Sequence, residues 1–465
     1  MNQPVFTNDI IILGILITVL ALLFYTSGLE NKFFKKFYTF VPALLLAYFV
    51  PALLNWPLGI IGTEWYDNGA IIGFLNQNFN LHVDTGASFQ QINALVSQNN
   101  IDISLLDQFK QKSQLNFVAS NYFLPACLIL LTISVDFKGI ISLGPKALIM
   151  FLTGTLGVII GGPLTLFIMM KFFPELLPFA GEDLWKGMST IAGSWIGGSA
   201  NQTAMKEIYH VNENIFASFI VVDVIVSNIW LGILLYGVSI HKKIDSWLKA
   251  DTSSIDMLTN KLEAYRKTIE KNPTTVDYLI MLSIAFGGVA VSQIGADLIT
   301  PLIGSFGNSL ETYKLTWLVS GFFWLIIIAT TFGLLLSFTK ARKIEGIGAS
   351  KWGTIFLYFL VATIGMKMNL IEIKENISLF VLGISWISFH AIIMIIVGRL
   401  IKAPFLFIAV GSQANIGGVA SASLVVSAFS TFLAPVGVLL AVLGYAIGTY
   451  GGIISAYMMQ WISGS

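Results

Sequence analysis

Apolar and polar positions along this chain are separated into long blocks. Ten of these blocks stay apolar for about 20 residues, the length that a helix needs to cross a lipid bilayer. They cover residues 8–28, 38–54, 117–136, 147–170, 214–240, 277–300, 316–339, 352–370, 377–400 and 432–460. The pattern predicts an all-α polytopic membrane protein with ten uninterrupted transmembrane helices.

Two further blocks, 184–206 and 403–428, are apolar but interrupted by Gly, Ser and Asn. The first contains GSWIGGSANQTA (193–204) and the second GSQANIGGVASAS (411–423), so Gly-Ser and Ile-Gly-Gly occur in both. A Gly-Gly tip at bilayer depth frees backbone groups that lipid cannot satisfy, and these groups must face protein, water, an ion or a solute. Small residues also allow close helix packing, which stays open as the other interpretation.

The two halves of the chain resemble each other weakly, and the interrupted block is the fifth of six in each half. If both interrupted blocks are re-entrant hairpins, each half has five crossings and the halves are antiparallel. If both blocks cross, the halves are parallel. Three lysines in the short loop 29–37, against two in the long loop 55–115, favour the hairpin model with both termini outside.

The hairpin model predicts a domain organisation of two inverted repeats. The first repeat is 1–240, with 55–115 as an extracytoplasmic insertion, and the second is 276–465. A charged cytoplasmic linker, 241–275, joins them. The insertion contains FQQINALVSQNNIDISLLDQF, whose apolar spacing predicts one or two short amphipathic helices.

Broken segments at matching places in inverted repeats indicate the solute site of a secondary transporter. Hairpins entering from opposite sides would bring their tips together near the midplane, where helix N-termini attract anions and free carbonyls attract cations. The predicted solute-binding residues are Ser194, Gly197, Gly198, Ser199, Asn201, Ser412, Gln413, Asn415, Gly417 and Gly418.

Ionisable residues inside a span are candidates for function. Asp223 lies in FIVVDVIVSN, with Ser227 and Asn228 about one turn further on, and is expected to coordinate Na⁺, to carry a proton, or to hold a neighbouring hairpin. His390 lies within ISWISFHAIIMII and either relays protons or is a neutral imidazole bonded to a backbone carbonyl. The predicted ion-coupling residues are Asp223, Ser227, Asn228 and His390, with Asp223 as the possible Na⁺ ligand.

Composition narrows the function classes. Only 11% of residues are charged, against about 25% in soluble domains, and the net charge of +1 gives no sign of a nucleic-acid partner. The single Cys127 excludes an intrachain disulfide. The chain lacks P-loop, HExxH, CxxC and GxSxG motifs, so no ATP-driven pump, no enzyme and no cofactor are expected. Aromatic residues near span ends are expected to be membrane-interface anchors; they are Trp56, Tyr122, Trp185, Trp317, Trp352 and Tyr358.

Four segments together resemble a widespread membrane family, the domain-of-unknown-function 819 family. They are GSWIGGSAN, VVDVIV, GSQANIGG and GYAIGTYGG (444–452). The resemblance covers most of the chain apart from loops 55–115 and 241–275. That family is grouped with glutamate/sodium symporters, bile-acid/sodium symporters and cation/proton antiporters. The resemblance implies inverted repeats, a scaffold domain, a moving transport domain and an elevator-type mechanism, with dimerisation through the scaffold.

Two departures limit what the resemblance carries over. Val224 stands where the family often has Asn after the matched Asp223, which weakens any copied ligand set. The long loop 55–115 replaces a short connection, so no role is carried over for it.

The sequence therefore predicts a secondary active transporter in a lipid membrane, expected to be a bacterial cytoplasmic (inner) membrane. Its solute is expected to be small and anionic, such as an amino acid, a carboxylate or a small peptide, and Na⁺ or H⁺ is expected to drive it. The alternative is a monovalent cation/proton antiporter. A homodimer is expected by analogy with the clan.

Overall fold

The computed structural model describes residues 3–41, 43–99, 101–177, 181–251, 273–313, 315–368, 378–429 and 433–464. These residues form α-helices, short 3₁₀ segments, one π-helical segment (Ala119–Phe123) and one pair of strands. The helices are α1 (Asp9–Ser27), α2 (Lys32–Phe40), α3 (Ala43–Asn55), α4 (Asn68–Phe79), α5 (Phe89–Gln98), α6 (Leu115–Val118), α7 (Leu124–Ile133), α8 (Phe137–Ser142), α9 (Pro145–Phe172), α10 (Gly181–Gly197), α11 (Ser199–Ile208), α12 (Glu213–Ser239), α13 (His241–Leu248), α14 (Thr275–Gly304), α15 (Gly307–Thr312), α16 (Gly321–Ser337), α17 (Ala349–Gly365), α18 (Ser378–Leu400), α19 (Phe405–Ile416), α20 (Gly418–Phe429) and α21 (Ala434–Ser463). The strands are β1 (Glu64–Tyr66) and β2 (Lys110–Lys112).

Helices long and apolar enough to cross a membrane are abundant. Seven such helices occur among the described residues, or nine if two sharply bent pairs each count as one span. Each of the ten predicted apolar blocks contains a helix, although α3, α7, α16 and α17 are shorter than predicted. In α16 the reason is a bend of 97° into the 3₁₀ segment Lys340–Ile347. The prediction of an all-α polytopic membrane protein is confirmed.

The chain folds into two compact units. One comprises Met1–Ala119 and Tyr358–Leu370, and the other Ser120–Leu357 and Ile371–Ser465. In the first unit α1 packs on α3, and the side-chain amide of Asn55 donates to the Met366 carbonyl at 2.5 Å. Repeats are defined by sequence similarity, whereas these units are defined by packing. The two units therefore do not test the predicted repeat boundaries, which stay a prediction.

The insertion between α3 and α6 has a small core of its own. Strands β1 and β2 pair antiparallel, and apolar side chains of α4 and α5 form the core beneath them. In the stretch 89–109, where one or two amphipathic helices were predicted, the structure has α5 and the 3₁₀ segment Ile103–Phe109, whereas α4 and the strand pair were not predicted. Glu64 on β1 forms ion pairs with Lys110 and Lys112 of β2. Its hydrogen bond from the Lys110 ammonium holds the pKa of the Glu64 carboxyl below its usual value.

The second unit contains two groups of helices. In the smaller group, α16 packs against both α7 and α14. In the larger group, α9 packs against α18, α19 and α21, and α10 packs along α21. Buried side chains of α9, α19, α20 and α21 form one continuous core, which includes Phe151, Phe407 and Leu440. This core positions the Gly-Gly motifs.

The predicted linker 241–275 begins with α13. The Asp245 side chain of α13 accepts a hydrogen bond from the Phe405 backbone N–H at 2.7 Å and so caps the start of α19. The rest of the linker prediction, residues 252–272, lies outside the described residues.

Candidate functional site

The first Gly-Gly motif lies at a fold-back of the chain. Helix α10 ends at Gly197, α11 begins at Ser199, and Gly198 between them has φ +76°, a conformation that favours glycine. The ring centroids of Trp185 and Tyr209 lie 5.1 Å apart at the open end. A continuous helix would hold residues 24 positions apart at about 36 Å. Residues 181–208 therefore form a hairpin, called hairpin 1 below.

The second motif makes the same fold-back. Helix α19 ends at Ile416, α20 begins at Gly418, and Gly418 has φ +65°. The rings of Phe405 and Phe429, also 24 positions apart, lie with their centroids at 6.2 Å. Residues 405–429 are called hairpin 2. The second glycine of each Gly-Gly pair thus supplies the left-handed conformation that the tight tip requires.

The two tips meet beside Tyr445, in the middle third of α21. A methyl group built on Gly198 would lie 3.3 Å from the Tyr445 ring, and one built on Gly418 would lie 3.9 Å from the Tyr445 hydroxyl. Gly197 approaches α21 so closely that a methyl group on it would lie 2.7 Å from the Gly448 Cα. The tips are therefore brought together, as the paired motifs predicted.

The open ends of the hairpins lie toward opposite ends of α21. A methyl group on Gly181, at the start of hairpin 1, would lie 3.2 Å from the Ser463 carbonyl oxygen. A methyl group on Gly437 would lie 2.7 Å from the Ala422 backbone of hairpin 2. Hairpin 1 runs along the C-terminal part of α21 and hairpin 2 along its N-terminal part, so they approach the centre from opposite directions.

Asp223 of α12 binds hairpin 1 through its buried carboxylate. Ser194 donates to Oδ2 at 2.6 Å, Trp195 Nε1 donates to Oδ1 at 2.6 Å, and Gln202 Nε2 donates to Oδ2 at 2.9 Å. Indole and amide N–H groups can only donate, so this set of partners fits an ionised carboxylate. The carboxylate joins both helices of hairpin 1 to α12.

Hairpin 2 is held by a neutral network. Trp230 Nε1 of α12 donates to Ser412 Oγ at 2.8 Å, and Ser412 Oγ lies 2.8 Å from His390 Nε2. The other ring nitrogen of His390 lies 3.1 Å from the Gly154 carbonyl, which accepts. We assign the proton of a neutral imidazole to Nδ1 because only that tautomer satisfies the carbonyl and leaves Nε2 to accept from Ser412. This arrangement matches the carbonyl-bonded alternative for His390.

The two predicted asparagines have matching roles. Asn201 donates to the Gly197 carbonyl at 2.7 Å and accepts from Thr449 Oγ1 at 2.5 Å. Asn415 donates to the Gly411 carbonyl at 2.8 Å and accepts from Thr155 Oγ1 at 2.8 Å. Each side-chain amide therefore bonds a backbone carbonyl of its own hairpin and also joins that hairpin to a neighbouring membrane helix. To contact a solute directly, as predicted, each asparagine would have to give up one of these hydrogen bonds and form one to the solute.

Other tip groups are less engaged. Gln413 is buried, and its Oε1 has no hydrogen-bond partner among the described residues. Helix α11 starts at Ser199 without a side-chain cap, so its first N–H groups are available to an acceptor. These N–H groups and the Gln413 side-chain oxygen are the ones best able to bind a solute.

The structure does not join Ser227 and Asn228 to Asp223 by a hydrogen bond. Both side chains instead donate to the Val224 carbonyl of their own helix, at 3.2 Å and 2.7 Å. Sequence reasoning also missed Trp195, Gln202, Trp230 and Thr449, which anchor the tips. In the described part of the chain no three His, Cys, Asp or Glu side chains are grouped as a metal site. For the predicted Na⁺ site, the available oxygen ligands are the Asp223 carboxylate and Ser194 Oγ, which are in contact.

Comparison with known proteins identifies a family and a membrane-protein relative. A model of the family "Protein of unknown function (DUF819)" matches residues 82–462. The match begins inside the insertion and leaves residues 1–81 outside. The "Uncharacterized membrane protein YjcL" of Bacillus subtilis (strain 168) is 25% identical over 358 residues, which are 74% of this chain and 82% of that protein. The chain is an integral membrane protein, and it belongs to the DUF819 family.

Proposed function

We propose that the protein is a secondary active transporter of the elevator type. It moves a small anionic organic solute, such as an amino acid, a carboxylate or a small peptide, and Na⁺ or H⁺ drives the movement. The proposal rests above all on one observation: two folded-back hairpins approach from opposite ends of α21 and meet at its centre. No enzymatic activity and no cofactor other than the coupling ion belong to it.

The proposed repeats follow from the same helix order. In each half a long helix, a hairpin and a second long helix occur in succession: α9, hairpin 1 and α12, then α18, hairpin 2 and α21. Opposite approach of the hairpins supports inverted halves, because parallel halves would place both open ends on one side. In this scheme α7, α14 and α16 form the scaffold domain, through which two copies of the chain form a homodimer. The two hairpins and the long helices packed against them form the transport domain, which moves relative to the scaffold.

Asp223 is the proposed coupling residue. A carboxylate has about four acceptor positions, and three are used by Ser194, Trp195 and Gln202. A cation or proton that binds Asp223 competes with these donors and changes how strongly α12 holds hairpin 1. Ion occupancy is thereby linked to the tip that faces the solute.

Transport in proteoliposomes tests the proposal. The purified protein is reconstituted, radiolabelled amino acids, carboxylates and dipeptides are offered singly, and a Na⁺ or H⁺ gradient is imposed. At least one solute should accumulate under one gradient and equilibrate without it. If no solute accumulates under either gradient, the carrier proposal is wrong.

A variant of Asp223 tests the coupling role. Asp223→Asn should transport without dependence on the ion gradient, since the amide carries neither a proton nor a cation. Asp297→Asn is the matched control because Asp297 is exposed and bonds Gln293 of its own helix at 2.8 Å. If Asp223→Asn keeps the ion dependence of the wild type, Asp223 is only a structural partner of hairpin 1.

The second candidate is a monovalent cation/proton antiporter, in which the buried Asp223 carboxylate would bind the cation and the proton in turn. It predicts proton movement when Na⁺ or K⁺ is added, with no organic solute present. A pH-sensitive dye inside the proteoliposomes separates it from solute transport.

A further inference from the structure

A cavity lies at the open end of hairpin 1, away from the tips. Its volume is about 280 Å³, slightly below the usual range for sites of drug-sized ligands, so a small solute fits it. The walls come from both helices of hairpin 1, from the 3₁₀ segment Thr316–Val319 and from the last turns of α21. Its lining includes the rings of Trp185, Tyr209, Trp317 and His210.

Four residues that line this cavity each carry a buried polar atom. These atoms, Trp185 Nε1, Tyr209 OH, Trp317 Nε1 and Gln460 Oε1, have no hydrogen-bond partner among the described residues. Trp185 and Tyr209 are each 3% exposed and Gln460 is 9% exposed. A buried polar atom without a partner costs stability, so four around one cavity indicate that a ligand or water supplies the missing bonds.

The kinds of atoms define the ligand. Two indole N–H groups can only donate, the amide oxygen can only accept, and the phenol can do either. A molecule that satisfies all four therefore presents at least two acceptors and one donor. A carboxylate next to an ammonium or hydroxyl group has this pattern. The aromatic faces complete the walls with apolar surface.

Charge at the wall agrees with a carboxylate. Lys186 lines the cavity, and its ammonium pairs with Glu182 at 2.7 Å on the more exposed side. Pairing removes the net charge of that wall, so a carboxylate meets no uncompensated negative charge there. The nearby buried Lys206 is bonded to Glu207 and Glu213, at 3.0 Å and 2.9 Å, and does not compete for the ligand.

We propose that this cavity binds a small α-amino or α-hydroxy acid, whose carboxylate accepts from Trp185 and Trp317 and whose α-donor bonds Gln460. The cavity lies at the open end of hairpin 1, and in this proposal a solute binds here before it reaches the tip. This role as a first binding site rests on the proposed transport function, whereas the binding itself does not.

Equilibrium binding to the purified full-length protein in detergent tests the site without any gradient. The probes are tritiated L-alanine, L-leucine and L-phenylalanine. Two analogues of leucine then compete: L-leucinamide, which lacks the carboxylate, and 4-methylpentanoate, which lacks the α-donor. We expect saturable leucine binding, no competition by leucinamide, and competition by 4-methylpentanoate that is about 10-fold weaker than by leucine.

Conservative variants locate the binding. Trp185→Phe and Trp317→Phe keep the ring but remove the N–H, and each should weaken leucine binding about 10-fold. Gln460→Met should abolish the preference for leucine over 4-methylpentanoate. Trp352→Phe is the matched control. Because Trp352 does not line this cavity, that variant should bind leucine like the wild type.

The outcomes separate the two proposals. No saturable binding of any of the three amino acids means that the cavity holds water only, and binding unchanged in both tryptophan variants means that the site lies elsewhere; either result overturns the inference. Binding that follows the variants, together with no transport in proteoliposomes, leaves this site valid and refutes the transport function.

Discussion

The contact between Asp223 and Trp195 can be tested by a double-mutant cycle. The variants are Asp223→Asn, Trp195→Phe and both together. In the wild type Trp195 Nε1 donates to Oδ1 at 2.6 Å, while Ser194 and Gln202 share Oδ2. An asparagine side chain can accept at only one of the two oxygen positions of the carboxylate. At the other position its NH₂ group donates, where the carboxylate oxygen accepted.

The magnitude follows from counting the donors left without a partner. In its less costly orientation, the asparagine that replaces Asp223 keeps its side-chain oxygen at the Oδ2 position and turns its NH₂ group toward the indole. Two buried donors then face each other, and at about 1–3 kcal/mol for each the single variant loses roughly 2–6 kcal/mol of unfolding free energy. Trp195→Phe removes one of these donors, so in the Asp223→Asn background it should cost about 2 kcal/mol less than in the wild type.

The assay is the unfolding free energy of the purified protein in mixed micelles, measured for all four proteins of the cycle. Asp223→Asn combined with Trp352→Phe is the control cycle and should be additive, since Trp352 contacts Tyr278 and Phe356 and not Asp223. If the Asp223 and Trp195 changes add to within about 0.5 kcal/mol, the proposed bond between them is absent and the argument fails.

Three further predictions concern other anchors. Ser412→Ala leaves an indole and an imidazole nitrogen unpaired and should lower the unfolding free energy by about 2–6 kcal/mol, whereas the exposed Ser388→Ala should change it by less than about 0.5 kcal/mol. Gly448→Ala should displace the hairpin 1 tip and lower the thermal midpoint, whereas Gly287→Ala, which has open space around it, should not. The ion pairs of Glu64 should stabilise the strand pair above the ordinary carboxyl pKa and be lost as pH falls through the lowered pKa. After correction for the slower intrinsic exchange at acidic pH, the hydrogen-exchange protection of 64–66 and 110–112 should therefore fall in the wild type but not in Glu64→Gln.

The membrane helices and the two tips were predictable because each rests on a local property. A helix that crosses a bilayer needs an apolar block of a certain length, and a tight tip at that depth needs a residue that tolerates positive φ. The blocks ending near Phe172 and Ser239 and the positions of Gly198 and Gly418 follow from these requirements. Neither requires knowledge of what lies next to the segment in space.

The anchors were not predictable because each depends on a partner distant in sequence. Trp195 and Trp230 lie in apolar blocks and look the same whether the indole faces lipid, a carboxylate or a serine. Trp185 was predicted to be an interface anchor, and the structure instead buries it against Tyr209. Strand β2 was missed because its three residues, Lys-Gln-Lys, contain no apolar alternation.

The two hairpins differ in how α12 holds them, and this difference bears on how ions would act. Asp223 and Trp230 are seven residues apart on α12, so they lie on one face about 10 Å apart along the helix. Asp223 holds hairpin 1 through a carboxylate, and Trp230 holds hairpin 2 through a neutral chain that ends at His390. A cation or proton changes the first anchor directly, whereas the second anchor contains no carboxylate and the His390 Nε2 lone pair already accepts from Ser412. We therefore expect the coupling ion to alter the protection of hairpin 1 in hydrogen exchange, while hairpin 2 keeps its protection. Equal changes in both would show that the ion acts on a body shared by the two tips and not through the Asp223 anchor.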